Sequence, residues 1–152
     1  MSRIKDLQKY VHRVLDDADA AKRAGAIAHL HGVALAAVMI AKKRGENAEL
    51  VAMAGLLHDL WAYKSGSYDD HARLGAQYAG KILRKLELTS AEETEAICRA
   101  IMRHDDKAAV DAGLDEVLKD ADVIHHSLAD PTKEVKPHER ERYMRLCREF
   151  GF

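Results

Sequence analysis

Proline, cysteine and large aromatic residues are all scarce in this 152-residue chain: two Pro, two Cys, one Trp and two Phe. The cysteines, Cys98 and Cys147, stand far apart with no CxxC pair. That excludes a disulfide-built scaffold and agrees with a reducing cytoplasm, the expected location. Both prolines, Pro131 and Pro137, fall late and bracket the polar stretch TKEVK, which reads as a loop before a last helix. Asn-Gly and Asp-Gly turns are missing, as is any sustained apolar–polar alternation, so strands are not expected. Charge of one sign is missing too: 24 basic and 25 acidic residues leave a formal net charge of -1. A nucleic-acid polymer is therefore not an expected partner, whereas a small anion held by a local basic patch is allowed. The longest apolar run, Val33 to Ala41, falls short of a membrane span, and the charged start MSRIKDLQKYVHRVLDD is no signal peptide. No repeat, low-complexity tract or linker divides the chain, and its length suits one domain, 1–152.

What is present is helix. Ile4, Leu7, Val11, Val14 and Leu15 form one apolar stripe behind a Ser2 cap. An Ala-rich segment from His29 to Arg44 ends at Gly45, as at a C-cap glycine. Asn47 caps a helix running through ELVAMAGLLHDL, where Ala52, Ala54 and Gly55 allow a neighbour to pack closely. KSGSYDD is a loop, and Asp69 or Asp70 opens a helix to about Lys85. Ser90 with Glu93 is a capping box for a helix to about His104. Leu114 to about Leu128 and His138 to about Phe150 complete the set. The expected fold is all-α, an irregular bundle of about seven helices in a single domain.

Nine histidines are the unusual feature, because imidazole is both a metal ligand and a proton carrier near neutral pH. With 14 Asp, chance alone supplies about one His-Asp dipeptide; there are two, His58–Asp59 and His104–Asp105. Position singles out the first. It follows the apolar run AMAGLL, where an unpaired carboxylate would be costly to bury. A bound cation removes that cost, and imidazole with carboxylate is a sensible mixed ligand pair. Adjacent helical residues diverge by about 100°. Any further ligands must therefore come from other helices, and His29, His71, His104 and Asp122 are the candidates beside apolar faces.

These residues carry a family likeness. Over roughly Ala28 to Pro131, in the segments HLHGVALAAVMIAKKRG, AMAGLLHDL, DHARLGAQYA, AIMRHD and LKDADVI, the chain resembles the HD-domain superfamily of metal-dependent phosphohydrolases. The resemblance implies one metal site formed by His29, His58, Asp59 and Asp122. His31 stands as the alternative to His29, and Asp120 competes with Asp122. Val33 four residues on favours His29, and the second acid of the family's DAD pattern favours Asp122. His71 and His104 match positions that hold a second ion in some members, with Asp59 as the bridge. Asp105 stands where some two-metal members place another histidine. The implied cofactor is one or two divalent ions (Mn, Fe, Ni, Co or Mg).

The implied reaction is hydrolysis of a phosphate ester or anhydride in a small, nucleotide-like substrate, with Asp59 the most consequential residue. Lys64, Arg103 and Lys107 flank the motif residues and are the candidate phosphate contacts. Trp61 and Tyr63 could stack on a base or belong to the core. At helical spacing, only one of His125 and His126 can face the pocket; His12 and His138 read as surface residues. A two-iron oxygenase on the same scaffold, or a non-catalytic nucleotide-binding module, is the competing reading. Oligomerisation is left open by the apolar face of the last helix.

Overall fold

Residues 2–152 are described by a computed structural model in which every expected helical segment is helical. The α-helices are α1 (Arg3–Val14), α2 (Ala20–Arg44), α3 (Ala48–Leu57), α4 (Leu60–Ser65), α5 (His71–Leu86), α6 (Ala91–Arg103), α7 (Gly113–Leu128) and α8 (Arg140–Phe150). A 3-10 turn, Pro137–Glu139, precedes α8, and no strand occurs among the described residues.

Local chemistry explains most boundaries. Asn47 Oδ1 accepts from the backbone N–H groups of Glu49 and Leu50, both at 3.1 Å. Ser90 and Glu93 form the reciprocal box: Glu93 N–H donates to Ser90 Oγ at 3.1 Å, and Ser90 N–H to the Glu93 carboxylate at 3.0 Å. Gly45 ends α2 at φ 75°, in the left-handed region that glycine enters without steric cost. Three boundaries differ from expectation, the first being that α4 runs to Ser65, into the KSGSYDD stretch read as a loop. α2 begins at Ala20 under an Asp19 cap, so His29 lies more than two turns inside the helix rather than at its opening. The Ala-rich stretch AAKRAGAIA is a strong helix former and extends the segment backwards. The helix expected through ELVAMAGLLHDL breaks at Asp59, which separates α3 from α4.

α3 is apolar on every side, and all of Leu50 to Leu57 is buried, so it occupies the centre. α2 and α7 pack against it, with α1 and α6 on its remaining sides. α5 packs on α6, and α8 covers α7. Leu30, Val33, Ala37 and Ile40 of α2 join Val51, Met53, Leu56 and Leu57 of α3 and Val117, Leu118 and Ala121 of α7 in one buried cluster. Each large member stabilises by about 1.5–3 kcal/mol relative to exposure. Among the described helices, α2 alone is long and apolar enough to span a membrane by length and composition; half of that stretch is buried in the bundle.

The small residues expected to allow close packing do so at one point above all. A Cβ on Gly55 would lie 2.7 Å from the Cα of Ala34 and 2.8 Å from its nitrogen. Backbone meets backbone there, and nothing flexible can yield. Gly55→Ala is therefore expected to destabilise by about 1–3 kcal/mol through overpacking, despite the ~1 kcal/mol that alanine gains in helix propensity. Thermal denaturation should show a melting temperature lower by about 2–4 °C per kcal/mol. An unchanged or higher melting temperature would mean that α2 and α3 stand further apart than described.

Candidate metal centre

Five chain segments converge at one end of α3. α2 brings His29, the α3–α4 junction His58 and Asp59, the start of α5 His71, the end of α6 His104, and α7 Asp122. The break after α3 solves the problem of two adjacent residues serving one point. His58 keeps helical dihedrals (φ -57°, ψ -41°), whereas Asp59 sits at φ -108°, ψ 4°, in the sparsely populated bridge region. The chain turns there, and His58 Nε2 and Asp59 Oδ2 come within 3.4 Å of each other.

Four donor atoms form the first cluster. His29 Nε2 lies 3.1 Å from His58 Nε2, 3.3 Å from Asp59 Oδ2 and 3.5 Å from Asp122 Oδ1. His58 Nε2 lies 3.6 Å from Asp122 Oδ1. Donors bound about 2.1 Å from one transition-metal ion stand about 3.0–3.5 Å apart. A second cluster shares Asp59 through its other oxygen: Oδ1 lies 3.3 Å from His104 Nε2 and 3.6 Å from His71 Nε2. Asp105, on the exposed rim, places Oδ1 3.8 Å from His71 Nε2.

The imidazoles are held so that Nε2 points inward. His58 Nδ1–H donates to Gly55 O at 2.8 Å, His104 Nδ1–H to Ile101 O at 2.7 Å, and His71 Nδ1–H to Tyr68 O at 2.8 Å. These tautomers follow from the partners, since a carbonyl can only accept. His29 Nδ1 faces His125 Nδ1 at 3.0 Å. His125 fits because residue 32 is glycine: a Cβ there would lie 2.1 Å from its ring. Burial, reinforced by His29 and His126, holds His125 down at about 4, so it is neutral and can accept from His29.

The carboxylates are charged and incompletely satisfied. Burial pushes Asp59 up, but His58, His104 and His29 together hold it far below the usual carboxylate range. Burial likewise opposes ionisation of Asp122, and Lys107 with His58 overcomes it. Asp59 Oδ1 and Asp122 Oδ1 are nevertheless buried without any hydrogen-bond partner. Burial disfavours charge on His58, yet Asp59 and Asp122 raise it to about 10. In the metal-free protein the two carboxylates thus favour the charged form of this imidazole. Burial lowers His29 and His104 and keeps them neutral, with lone pairs free. The donor set and the two orphaned oxygens fit a divalent cation.

The alternatives separate by position. His31 turns away and pairs with His12, Nε2 to Nε2 at 2.9 Å, so His12 is half-buried rather than a surface residue. Asp120 faces the other side of α7, bound to Arg44 at 2.7 Å and Arg142 at 2.8 Å. His138 is exposed as expected. The three expected phosphate contacts do not line the cavity above the cluster. Lys64 lies exposed on α4. Arg103 points to Asp115, at 2.8 Å. Lys107 is buried, and its Nζ donates to Asp122 Oδ2 at 2.6 Å and to His104 O at 2.5 Å. Its cationic end is consumed inside the protein, beneath the cluster. The cavity, about 350 Å³, is bordered by Tyr63, Tyr68, Asp105, His126 and Lys136. Lys136 was not legible: it sits in the TKEVK loop, far along the chain, and only the tertiary fold brings it back. His126 had a signal, the i, i+4 spacing from Asp122 that sets both on one helix face.

A family model for the HD domain matches residues 26–127, a span that contains every residue of both clusters. Among solved structures, a protein described as a predicted HD superfamily hydrolase, from an uncultured Thermotogales bacterium, is similar in fold. It is 21% identical with a TM-score of 0.65, over 97% of this chain and 88% of that one. No curated protein matches significantly.

The internal role of Lys107 is measurable. Lys107→Met leaves Asp122 with an uncompensated buried charge, expected to destabilise the metal-free protein by about 3–5 kcal/mol. Urea unfolding checks this. Unchanged stability combined with a raised KM would instead return Lys107 to substrate contact.

Proposed function

Because the chain belongs to the HD-domain family, we propose that it is a metal-dependent phosphohydrolase acting on a small, nucleotide-like phosphate ester or anhydride. The observation that carries this reading is the pair of buried carboxylate oxygens, Asp59 Oδ1 and Asp122 Oδ1, left without hydrogen-bond partners among inward-facing imidazole nitrogens. His29, His58, Asp59 and Asp122 would hold a first divalent ion, and Asp59, His71 and His104 a second. Such an ion supplies a water of lowered pKa and a Lewis acid for a phosphoryl oxygen.

The chain's own groups define the rest. Asp59, whose two oxygens face the two clusters, is the residue both ions would share. Lys107 neutralises the far oxygen of Asp122 and keeps Oδ1 turned to the cavity. Burial raises Tyr63 above the ordinary phenol value, so its O–H stays protonated as a donor beside the cluster. Lys136 at the mouth supplies the positive charge a phosphate needs. Tyr68, exposed at the lip, offers a ring face to a planar part of the substrate. The description of the Thermotogales protein as a hydrolase agrees with this reaction class, and the unpaired cysteines Cys98 and Cys147 agree with a reducing cytoplasm.

One observation favours a second reading: a carboxylate facing two histidine clusters also suits a pair of irons in an oxygenase. The two readings part on reconstitution. Protein loaded with Mn²⁺, Co²⁺, Ni²⁺, Mg²⁺ or Fe²⁺ and offered a panel of phosphorylated metabolites is expected to release phosphate without consuming oxygen. Asp59→Ala is expected to lose bound metal and to lower that rate by at least about 100-fold, since removing even an outer partner of a ligand costs about 10–100-fold. Full metal content and full activity in Asp59→Ala would refute the assignment. Oxygen consumption by the iron-loaded protein, with no phosphate released from any substrate, would establish the oxygenase instead.

A further inference from the structure

His126 lies one turn after Asp122 on α7 and belongs to neither of the two donor sets above. Its Nδ1–H donates to Glu139 Oε1 at 2.9 Å. In the neutral imidazole that bond leaves Nε2 as the lone-pair nitrogen, and Nε2 lies 3.4 Å from Asp122 Oδ1. The separation matches those that relate the same oxygen to His29 Nε2 and His58 Nε2, 3.5 and 3.6 Å. The His126 and His29 rings are nearly parallel, 10° between planes with centroids 5.3 Å apart. Donor atoms from His29, Asp122 and His126 all lie within 4.8 Å of one another.

Two lone pairs facing each other at this distance repel unless positive charge lies between them. Asp122 Oδ1 is buried and has no hydrogen-bond partner to supply it. Glu139 adds an independent observation. It sits on the 3-10 turn before α8, is only 1% exposed, and its Oε2 has no partner. Burying a carboxylate behind an imidazole is costly, and the arrangement is the one that fixes ring orientation and raises basicity in a metal-bound histidine.

We propose that His126 Nε2 is a further metal donor, acting with His29 and Asp122 on a divalent transition-metal ion and oriented by Glu139. The inference rests on the reading of this centre as a metal site and extends its donor set. It also gives the segment after α7 a role: the turn Pro137–Glu139 braces one of the donors through Glu139.

The test uses full-length protein loaded with Co²⁺, read by chelator-competition affinity and by the visible spectrum of the bound ion. His126→Gln and Glu139→Gln are both expected to weaken Co²⁺ binding by about 10-fold or more and to alter the spectrum. His138→Gln, at an exposed neighbour whose Nε2 is 3.8 Å from Glu139 Oε1, is expected to change neither. Circular dichroism establishes that each variant folds. Glu139→Gln is close to isosteric, so it keeps the test decisive where His126→Gln fails to fold. Wild-type affinity and spectrum in folded Glu139→Gln would overturn the proposal, making His126 an internal ion-pair partner of the two carboxylates. Failure of the wild-type protein to take up Co²⁺ would overturn the metal reading itself, and this inference with it.

Discussion

Negative charge held in a water-poor interior is the constraint on which the remaining structure depends. Asp59 and Asp122 are both almost fully buried, both ionised, and each keeps one oxygen without a hydrogen bond. Isolated carboxylates in such a place would take up protons rather than stay charged. They remain charged because the chain surrounds them with histidines and with the buried ammonium of Lys107. Breaking one partner of such a set costs several kcal/mol, whereas a well-packed apolar replacement would often be neutral. An interior maintained at that disadvantage is unlike an ordinary core, and its unpaired oxygens mark where positive charge is still required.

The same constraint reaches α8, which carries none of the donors. The segment 104–112 carries His104 and Lys107, and its carbonyls are gathered by buried cations. Lys107 Nζ takes His104 O, Lys119 Nζ takes Ala109 O at 2.9 Å and Asp111 at 2.6 Å, and Arg142 takes the carbonyls of Lys107 and Ala109. Arg142 also pairs with Glu116 and Asp120, and Asp120 with Arg44. A chain of ion pairs and carbonyl hydrogen bonds thus runs from α8 and the end of α2, through the loop, to Asp122. A loop would ordinarily be mobile and its carbonyls hydrated. Here its position is fixed from α7 and α8, and His104 at its start inherits that rigidity.

Sequence patterns revealed the helices because local signals agree with the tertiary fold: Asn47, Ser90 with Glu93 and Gly45 all act at the boundaries they suggest. Apolar neighbours marked His29, His71, His104 and Asp122 as candidates around His58–Asp59, and the resemblance to the HD-domain family was what grouped His29, His58, Asp59 and Asp122 as one set. The break at Asp59 was not legible, because LLHDLW has no glycine or proline to announce it. Nor was the fate of the basic residues. Lys107 stands in DDKAAV, a stretch that reads as exposed, and it is buried because Asp122 from another helix needs a cation. Lys136 reaches the cavity only because the loop between the two prolines folds back across it. Such pairings depend on contacts distant in sequence, which one-dimensional spacing does not encode.

Where each histidine sits in its helix decides how it is oriented. His58 and His104 are C-cap residues of α3 and α6, and each donates Nδ1–H to the carbonyl three residues earlier. Carbonyls in a last turn lack the regular donor four residues on, so the imidazole helps satisfy a helix end and aims Nε2 inward in one contact. His71 opens α5 and uses the carbonyl of Tyr68, just outside the helix, in the same way. His29 has no such recourse. It lies mid-helix, where carbonyls are already engaged, and its Nδ1 must find a side chain instead. His125 supplies it from α7, which requires the space above Gly32. The adjacent residue His126 faces the cavity and finds its own brace in Glu139. The consecutive histidines of α7 therefore divide the work, one bracing His29 from behind and the other turning Nε2 toward Asp122.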